Sequence, residues 1–305
     1  MPEPVHVPVM VREVLEGLRL RAGGVYVDGT LGLGGHARAI LEDGPGVGRV
    51  IGMDWDQDAL ALAQKRLLAH ADRILIVHGN YRDIPDLLLE QGIDGVDGIV
   101  LDLGLSSFQL EAGERGFSFL REELLDMRMD RFESVTAADL VNELPKDQIE
   151  EIIRTYGEER WARRIAGAIV RRREIQPIFT SADLARVVSH AIPARFHSRH
   201  IHPATRTFQA LRIAVNRELE NLRDALDTLP SCLVPGGRLC IITFHSLEDR
   251  LVKDAFRSDI RLMPVTKRPI IPGEDEIAAN PRARSAKLRI AERIHPKPIP
   301  QGETP

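Results

Sequence analysis

The first hundred residues alternate short apolar runs with helix-forming segments, and this rhythm constrains the chain most. Residues 25–28, 49–54 (RVIGMD), 74–78 (ILIVH) and 98–103 (GIVLDL) read as strands, with helical stretches at 35–42, 57–69 and 84–91. Parallel strands need crossover connections, so this alternation predicts a doubly wound, mostly parallel sheet. The fourth run is almost wholly apolar, as expected of a strand covered on both faces. From about residue 107 to 203 the rhythm gives way to helical periodicity at 137–144, 146–155, 159–173 and 181–191, punctuated by Pro145, Pro177 and Pro193. It then resumes with one long helix at 205–229, a Pro235-Gly236-Gly237 turn, a strand at 238–244, a helix at 246–257 and a last strand at 286–293. Residues 264–284, rich in proline and charge, read as a long loop. The expected organisation is an α/β domain in two halves, 1–106 and 204–305, interrupted by an all-helical insert at 107–203.

Composition narrows the class. Of 305 residues, 43% are hydrophobic and 28% charged, the balance of a soluble globular protein. No apolar run approaches the roughly 18 residues of a membrane span, and the N-terminus lacks the basic and apolar segments of a secretory signal. Cys232 and Cys240 are the only cysteines, without CxxC or a metal-ligand cluster. Two buried thiols in a reducing cytoplasm, no metal and no membrane partner are therefore expected. Self-association is left open.

The net charge of −4 hides a segregation. Residues 160–217 hold twelve arginines, no lysine and only Glu174 and Asp183 as acids, a local +10, so the remainder carries −14. His190, His197, His200 and His202 lie in the same stretch. A solvated helix face mixes signs, whereas a block of arginines suits the phosphates and base edges of a nucleic acid.

Residues 27–37, VDGTLGLGGHA, place four glycines between a strand and a helix. Such a loop presents helix N-terminal N–H groups to a ligand. Asp54 ends the second strand twenty residues beyond Gly34, where a carboxylate can accept from both hydroxyls of a ribose. To this point NAD and S-adenosylmethionine fit equally, and G-x-G-x-x-A (Gly32, Gly34, Ala37) suits the former. Asp28 favours the latter, because it would attract a methionine ammonium and repel a pyrophosphate. Asp102 at the end of the fourth strand stands where open α/β sheets present reacting groups.

The blocks HVPVM (6–10), DGTLGLGGH (28–36), LDLGLSSFQL (101–110), ERGFSF (114–119), LDMRMD (125–130), TYGEER (155–160), HPATRTFQALRIAVN (202–216), PGGRL (235–239), FHSLEDR (244–250) and NPRARSAKLRIAER (280–293) span nearly the whole chain. With them the sequence resembles the MraW (RsmH) family of bacterial 16S ribosomal RNA cytosine-N4 methyltransferases. The resemblance implies a class I (Rossmann-like) methyltransferase sheet with a helical insert, S-adenosylmethionine as methyl donor, and 16S rRNA, within the small ribosomal subunit, as partner. It carries the cofactor site onto Gly34, Gly35 and His36 in the loop, Asp54 at the ribose, Tyr81 near the adenine, Asp102 and Gln109. The residue reading adds Asp28 and Gly32.

The cytosine amine is a poor nucleophile because its lone pair is delocalised into the ring. An acceptor for N4–H, aligned with the methyl, would help. Asp102 is the candidate, with binding the cofactor's methionine end as its competing role. His245 is a second candidate for contacting the base, with helix capping as its alternative, and Ser246 with Asp249 looks like a capping pair. Where amino-methyltransferases often carry a D/N/S-P-P-aromatic tetrapeptide, this chain has Asp102-Leu103-Gly104-Leu105. Arg171, Arg172, Arg173, Arg195, Arg199 and Arg206 are the expected phosphate contacts. Arg121-Glu122-Glu123 stands where the family has D-G-P, and Met127 and Met129 are expected in the core.

Overall fold

The computed structural model describes residues 8–105, 109, 115–119, 121–198 and 202–294. It divides into two compact units, 1–104 with 221–305, and 105–220.

The discontinuous unit is built on a seven-stranded sheet: β1 (Val25–Asp28), β2 (Arg49–Asp54), β3 (Ile74–His78), β4 (Val96–Asp102), β5 (Leu233–Thr243), β6 (Leu262–Pro264) and β7 (Lys287–Arg293). Their order is β3-β2-β1-β4-β5-β7-β6. The first five run parallel, and β7 enters antiparallel between β5 and β6. This is the class I methyltransferase sheet.

Side-chain alternation explains why both faces are covered. Val27, Ile51, Ile99, Leu239 and Ile241 belong to one buried cluster, together with Leu87, Leu226 and Val252 from the helices on that face. Tyr26, Val50, Val100, Cys240 and Ile242, one residue out of phase, belong to the other, with Val14, Ile40 and Leu60. Cys232 and Cys240 are free and buried in opposite clusters, and burial pushes the Cys240 thiol up to about 12.

Several elements differ from those expected of the sequence. Pro235-Gly236-Gly237 is not a turn before a strand but lies inside β5. Val96 pairs with Leu233 and Gly98 with Arg238, so β5 carries the excess residues in a bulge, with Gly236 at φ 80°. Residues 264–284 are not all loop: helix Glu274–Ala279 forms there, and the Glu276 carboxylate accepts the Met10 N–H at 2.6 Å. The expected helix at 205–229 is two, Thr205–Asn216 and Glu218–Cys232, because Arg217 takes a left-handed conformation at φ 50°.

The continuous unit contains helices Ala137–Glu143, Lys146–Gly157, Ala162–Ile175, Ser181–Ala191 and Thr205–Asn216. The last packs against Lys146–Gly157, and the unit runs to residue 220, so this helix sits outside the second α/β half where the sequence reading put it. Thr136 closes a capping box with Asp139, and Thr180 caps its helix by accepting the Asp183 N–H. Met127 and Met129 are buried, and the Asn216 amide binds both, accepting from Met129 N at 2.7 Å and donating to Met127 O at 2.8 Å. In the segment that departs from the family pattern, the Glu123 carboxylate takes the Gly116 N–H at 3.0 Å, its N–H donates to Ser181 Oγ at 3.2 Å and its carbonyl accepts the Ser181 N–H at 2.9 Å.

Candidate functional site

The carboxyl ends of β1, β2 and β4 meet at the glycine loop, and three aspartates stand there. Asp28 ends β1 and is fully buried. Its Oδ1 accepts the Thr30 N–H at 3.3 Å and its Oδ2 the Ala37 N–H at 3.1 Å, fastening the loop to the first turn of helix Gly35–Asp43. With no exposed surface it shapes the loop, so the expected direct contact with a ligand ammonium gives way to this bracing position. Burial pushes its carboxyl up to about 6, against the pull of His36 and the two N–H donors.

Asp54 is the second brace. Its Oδ2 accepts the Gly32 N–H at 2.7 Å and its Oδ1 the Asp56 N–H at 2.9 Å. Burial likewise pushes it up to about 6. Gly34 follows at φ 83°, a conformation side chains rarely adopt, and a Cβ there would stand 2.6 Å from Leu67 Cδ1. The helix then starts at Gly35, whose first turn leaves N–H groups without intrahelical partners.

Asp102 closes β4. Its backbone N–H donates to Thr30 Oγ1 at 2.6 Å, so the loop after β1 fixes the end of β4. Its side chain is 20% exposed, Oδ2 lies 3.5 Å from His36 Nε2, and Oδ1 is buried without a hydrogen-bond partner. His36 is not the solvated first-turn residue that spacing allows but is buried. Burial opposes its charging, yet Asp102, Asp28 and Glu276 outweigh that, and its pKa is raised. The structure thus joins a histidine and a carboxylate that are 66 positions apart in the sequence.

Tyr81, buried, opens a short 3-10 turn after β3. Its ring lies 6.3 Å from that of Trp55, the residue after Asp54, at 56°. Trp55 and Thr30 escape the sequence reading. An aromatic directly after the acid of β2 is a signal that could have found Trp55, whereas nothing in the local pattern marks Thr30. Gln109 is buried and belongs to the helical unit.

His245 turns out to be the N-cap of helix Ser246–Ser258. Its side chain accepts the Glu248 N–H, and Glu248 in return accepts from the backbone of Phe244 and His245 at 2.8 and 3.2 Å. The expected Ser246–Asp249 pair is replaced by this box, and Asp249 instead binds Lys287 and Arg289 of β7 at 3.2 and 2.7 Å.

The arginines separate by partner. Arg173 donates to the carbonyls of Val141 and Leu144 at 2.9 and 2.8 Å, closing the end of helix Ala137–Glu143. Arg172 is tied to Gln176 and lies 3.8 Å from Asp183. Arg171 is exposed and lines a groove of about 520 Å³ with Arg164, Arg172, Arg186 and His190. Arg195 stands over Phe196, and Arg206 donates to the Glu158 carbonyl. Arg199 lies outside the described residues.

A chain of Geobacter sp. (strain M21) named ribosomal RNA small subunit methyltransferase H is 50% identical, over 95% of this chain and 98% of its own. One of the same name from Cyanothece sp. (strain PCC 7425 / ATCC 29141) is 51% identical over 96% of each. A crystal structure of an rRNA methylase from Streptococcus thermophilus is similar at 11% identity and a TM-score of 0.45, covering 93% of this chain and 94% of that one. The model of the MraW methylase family matches residues 3–294. The chain belongs to the MraW methylase family.

Proposed function

We propose that the protein transfers a methyl group from S-adenosylmethionine to the N4 amino group of a cytidine in 16S ribosomal RNA, within the small ribosomal subunit, in the cytoplasm. The observation that carries this reading is Asp102. Its carboxylate is part exposed at the carboxyl edge of β4, beside the loop that Asp28 and Asp54 brace. The family membership and the names of the relatives support the substrate class.

The residues present fit the cofactor. Asp54 uses two of its roughly four lone-pair sites on backbone donors, leaving acceptor capacity for ribose hydroxyls. Tyr81 and Trp55 offer ring surface for the adenine. Gly34, Gly35 and His36 present the helix start to the methionine end. When bound, the sulfonium supplies an electrophilic methyl. The Asp102 carboxylate, 20% exposed, accepts from N4–H of the cytosine, which favours a tetrahedral nitrogen with its lone pair free and offsets the positive charge that develops there. In the helical unit Arg171, Arg195 and Arg206 contact phosphates, while Arg172 and Arg173 serve mainly the fold.

Supplying labelled S-adenosylmethionine with unmodified small subunits, and mapping the labelled nucleotide, tests the reading. Label on N4 of one cytidine is expected, and transfer to no cytidine overturns it. Asp102→Asn separates the two roles of that residue. Slower transfer at saturating cofactor, with affinity nearly kept, is expected. Collapsed affinity with an unaltered chemical step would leave Asp102 as a cofactor ligand only.

A further inference from the structure

The helical unit carries a recess whose aromatic and histidine lining no role above uses. Beside the start of helix Ala162–Ile175 and the short turn Ala194–Phe196 lies a cavity of about 290 Å³, lined by Arg160, Trp161, Phe196, His197, His202 and Arg206. The Trp161 and Phe196 rings are 5.2 Å apart at 45°, and the Arg160 guanidinium stands over both, 5.3 and 4.9 Å from their centroids. Phe196 is 41% exposed, and Arg195 stands over it at 4.9 Å. A half-exposed phenylalanine ringed by arginines contributes little to a core. Its ring and the guanidinium planes lying over it are both surfaces on which a base stacks.

The polar groups of the recess have defined characters. His202 accepts the Ala204 N–H on Nδ1 at 3.2 Å, so its neutral ring carries the proton on Nε2. Partial desolvation and the neighbouring His197 hold its pKa below the ordinary value, which favours the neutral ring as a donor. Its ring is oriented by stacking on Phe119 at 4.5 Å and 17°. His197 Nε2 lies 3.0 Å from the Ile192 carbonyl, so the proton sits there and Nδ1 is left as an acceptor. Glu159, the acid of the lining, is buried and holds the Trp161 N–H at 2.8 Å, which fixes the start of the helix.

Rings overlaid by guanidinium planes, one neutral donor and one acceptor are what an unstacked base of a single strand requires. A phosphate alone would need only the cations. We propose that this recess binds an unpaired nucleobase of the ribosomal RNA substrate, stacked with Phe196 and Trp161, with the adjoining phosphates on Arg160 and Arg195. The proposal rests on the RNA reading above and deepens it by naming a base-binding subsite in the helical unit.

Two probes separate base from backbone: a short single-stranded RNA, and a ribose-phosphate oligomer of equal length without bases. Phe196→Ala should weaken binding of the RNA about tenfold, the scale of one lost base–aromatic stack, and leave binding of the baseless oligomer nearly as it was. Phe196→Tyr should retain RNA binding, and Trp161 fluorescence should change with RNA only. With small subunits as substrate, Phe196→Ala should raise KM more than it lowers kcat. Equal weakening of both probes, or of neither, overturns the pocket, since the rings would then only order arginines or pack the surface. Base-dependent binding without methyl transfer by the unaltered protein would support the pocket and overturn the proposed function instead.

Discussion

Asp28 and Asp54 are carboxylates held where charge is disfavoured, and both sit at about 6 rather than 3.8. A folded pKa above the unfolded one means that the native state holds more protons between these values. Their contribution is therefore most favourable near pH 4 and is lost as pH rises through about 6. For Asp28 the full change is up to about 3 kcal/mol, at about 1.36 kcal/mol per unit. We expect the wild type to lose stability relative to Asp28→Asn over that interval, measured by denaturant midpoints at several pH values. Parallel pH dependences would mean that Asp28 titrates normally. His245 gives a second test at this scale. Asparagine is a good helix cap, so His245→Asn should keep both stability and methyl transfer, whereas His245→Ala should cost about 1 kcal/mol of stability. Transfer lost in the asparagine variant, with stability kept, would restore His245 as a contact to the base.

At the scale of elements, much was legible because periodicity and burial agree. The bounds of β1, β2 and β3 and of helix Ser181–Ala191 coincide with the apolar runs and turns that announce them. What escaped lacks a local signal. Helix Val11–Leu18 starts behind Met10 at φ 56°, a conformation that no propensity assigns to methionine, and β6 is three residues long. The bulge of β5 uses the same Pro-Gly-Gly that marks a turn, and only the partner strand tells them apart. Within the site, Asp54 was legible from its spacing to the glycines. The His36–Asp102 contact was not, since it joins the first turn of a helix to the end of a strand far away in the sequence. The break at Arg217 is the least legible of all, because an arginine occupies the left-handed position that glycine favours. Relief of that strain exceeds the added freedom of the unfolded chain only slightly. Arg217→Gly should therefore raise stability by at most about 1 kcal/mol, seen as a shifted denaturant midpoint at constant slope. A loss of more than that would mean that the side chain, not the backbone, holds the break.

At the scale of the molecule, charge is partitioned between a basic helical segment and an acidic remainder, and binding to RNA should weaken steeply with salt. Arginines already engaged within the fold add little to that dependence. Arg171→Ala should lower the slope of log K against log salt by about 0.7–0.9, while Arg173→Ala should instead lower the melting temperature by uncapping two carbonyls. A larger slope change for Arg173 would reverse the assignment. The entry of β7 between β5 and β6 has a further consequence, in time rather than space. During synthesis the helical unit has all of its residues once Glu220 emerges, yet β4 must wait for β5, and β5 for residues 287–293. Until β5 arrives β4 is a bare, apolar edge, and β5 is then the edge until β7 pairs with it; either is the kind of surface that pairs with other chains. The nascent protein therefore passes through an interval in which its arginine-rich insert can be complete while the sheet is still open, and protection of that open edge, β4 and then β5, by a chaperone would matter most in that interval.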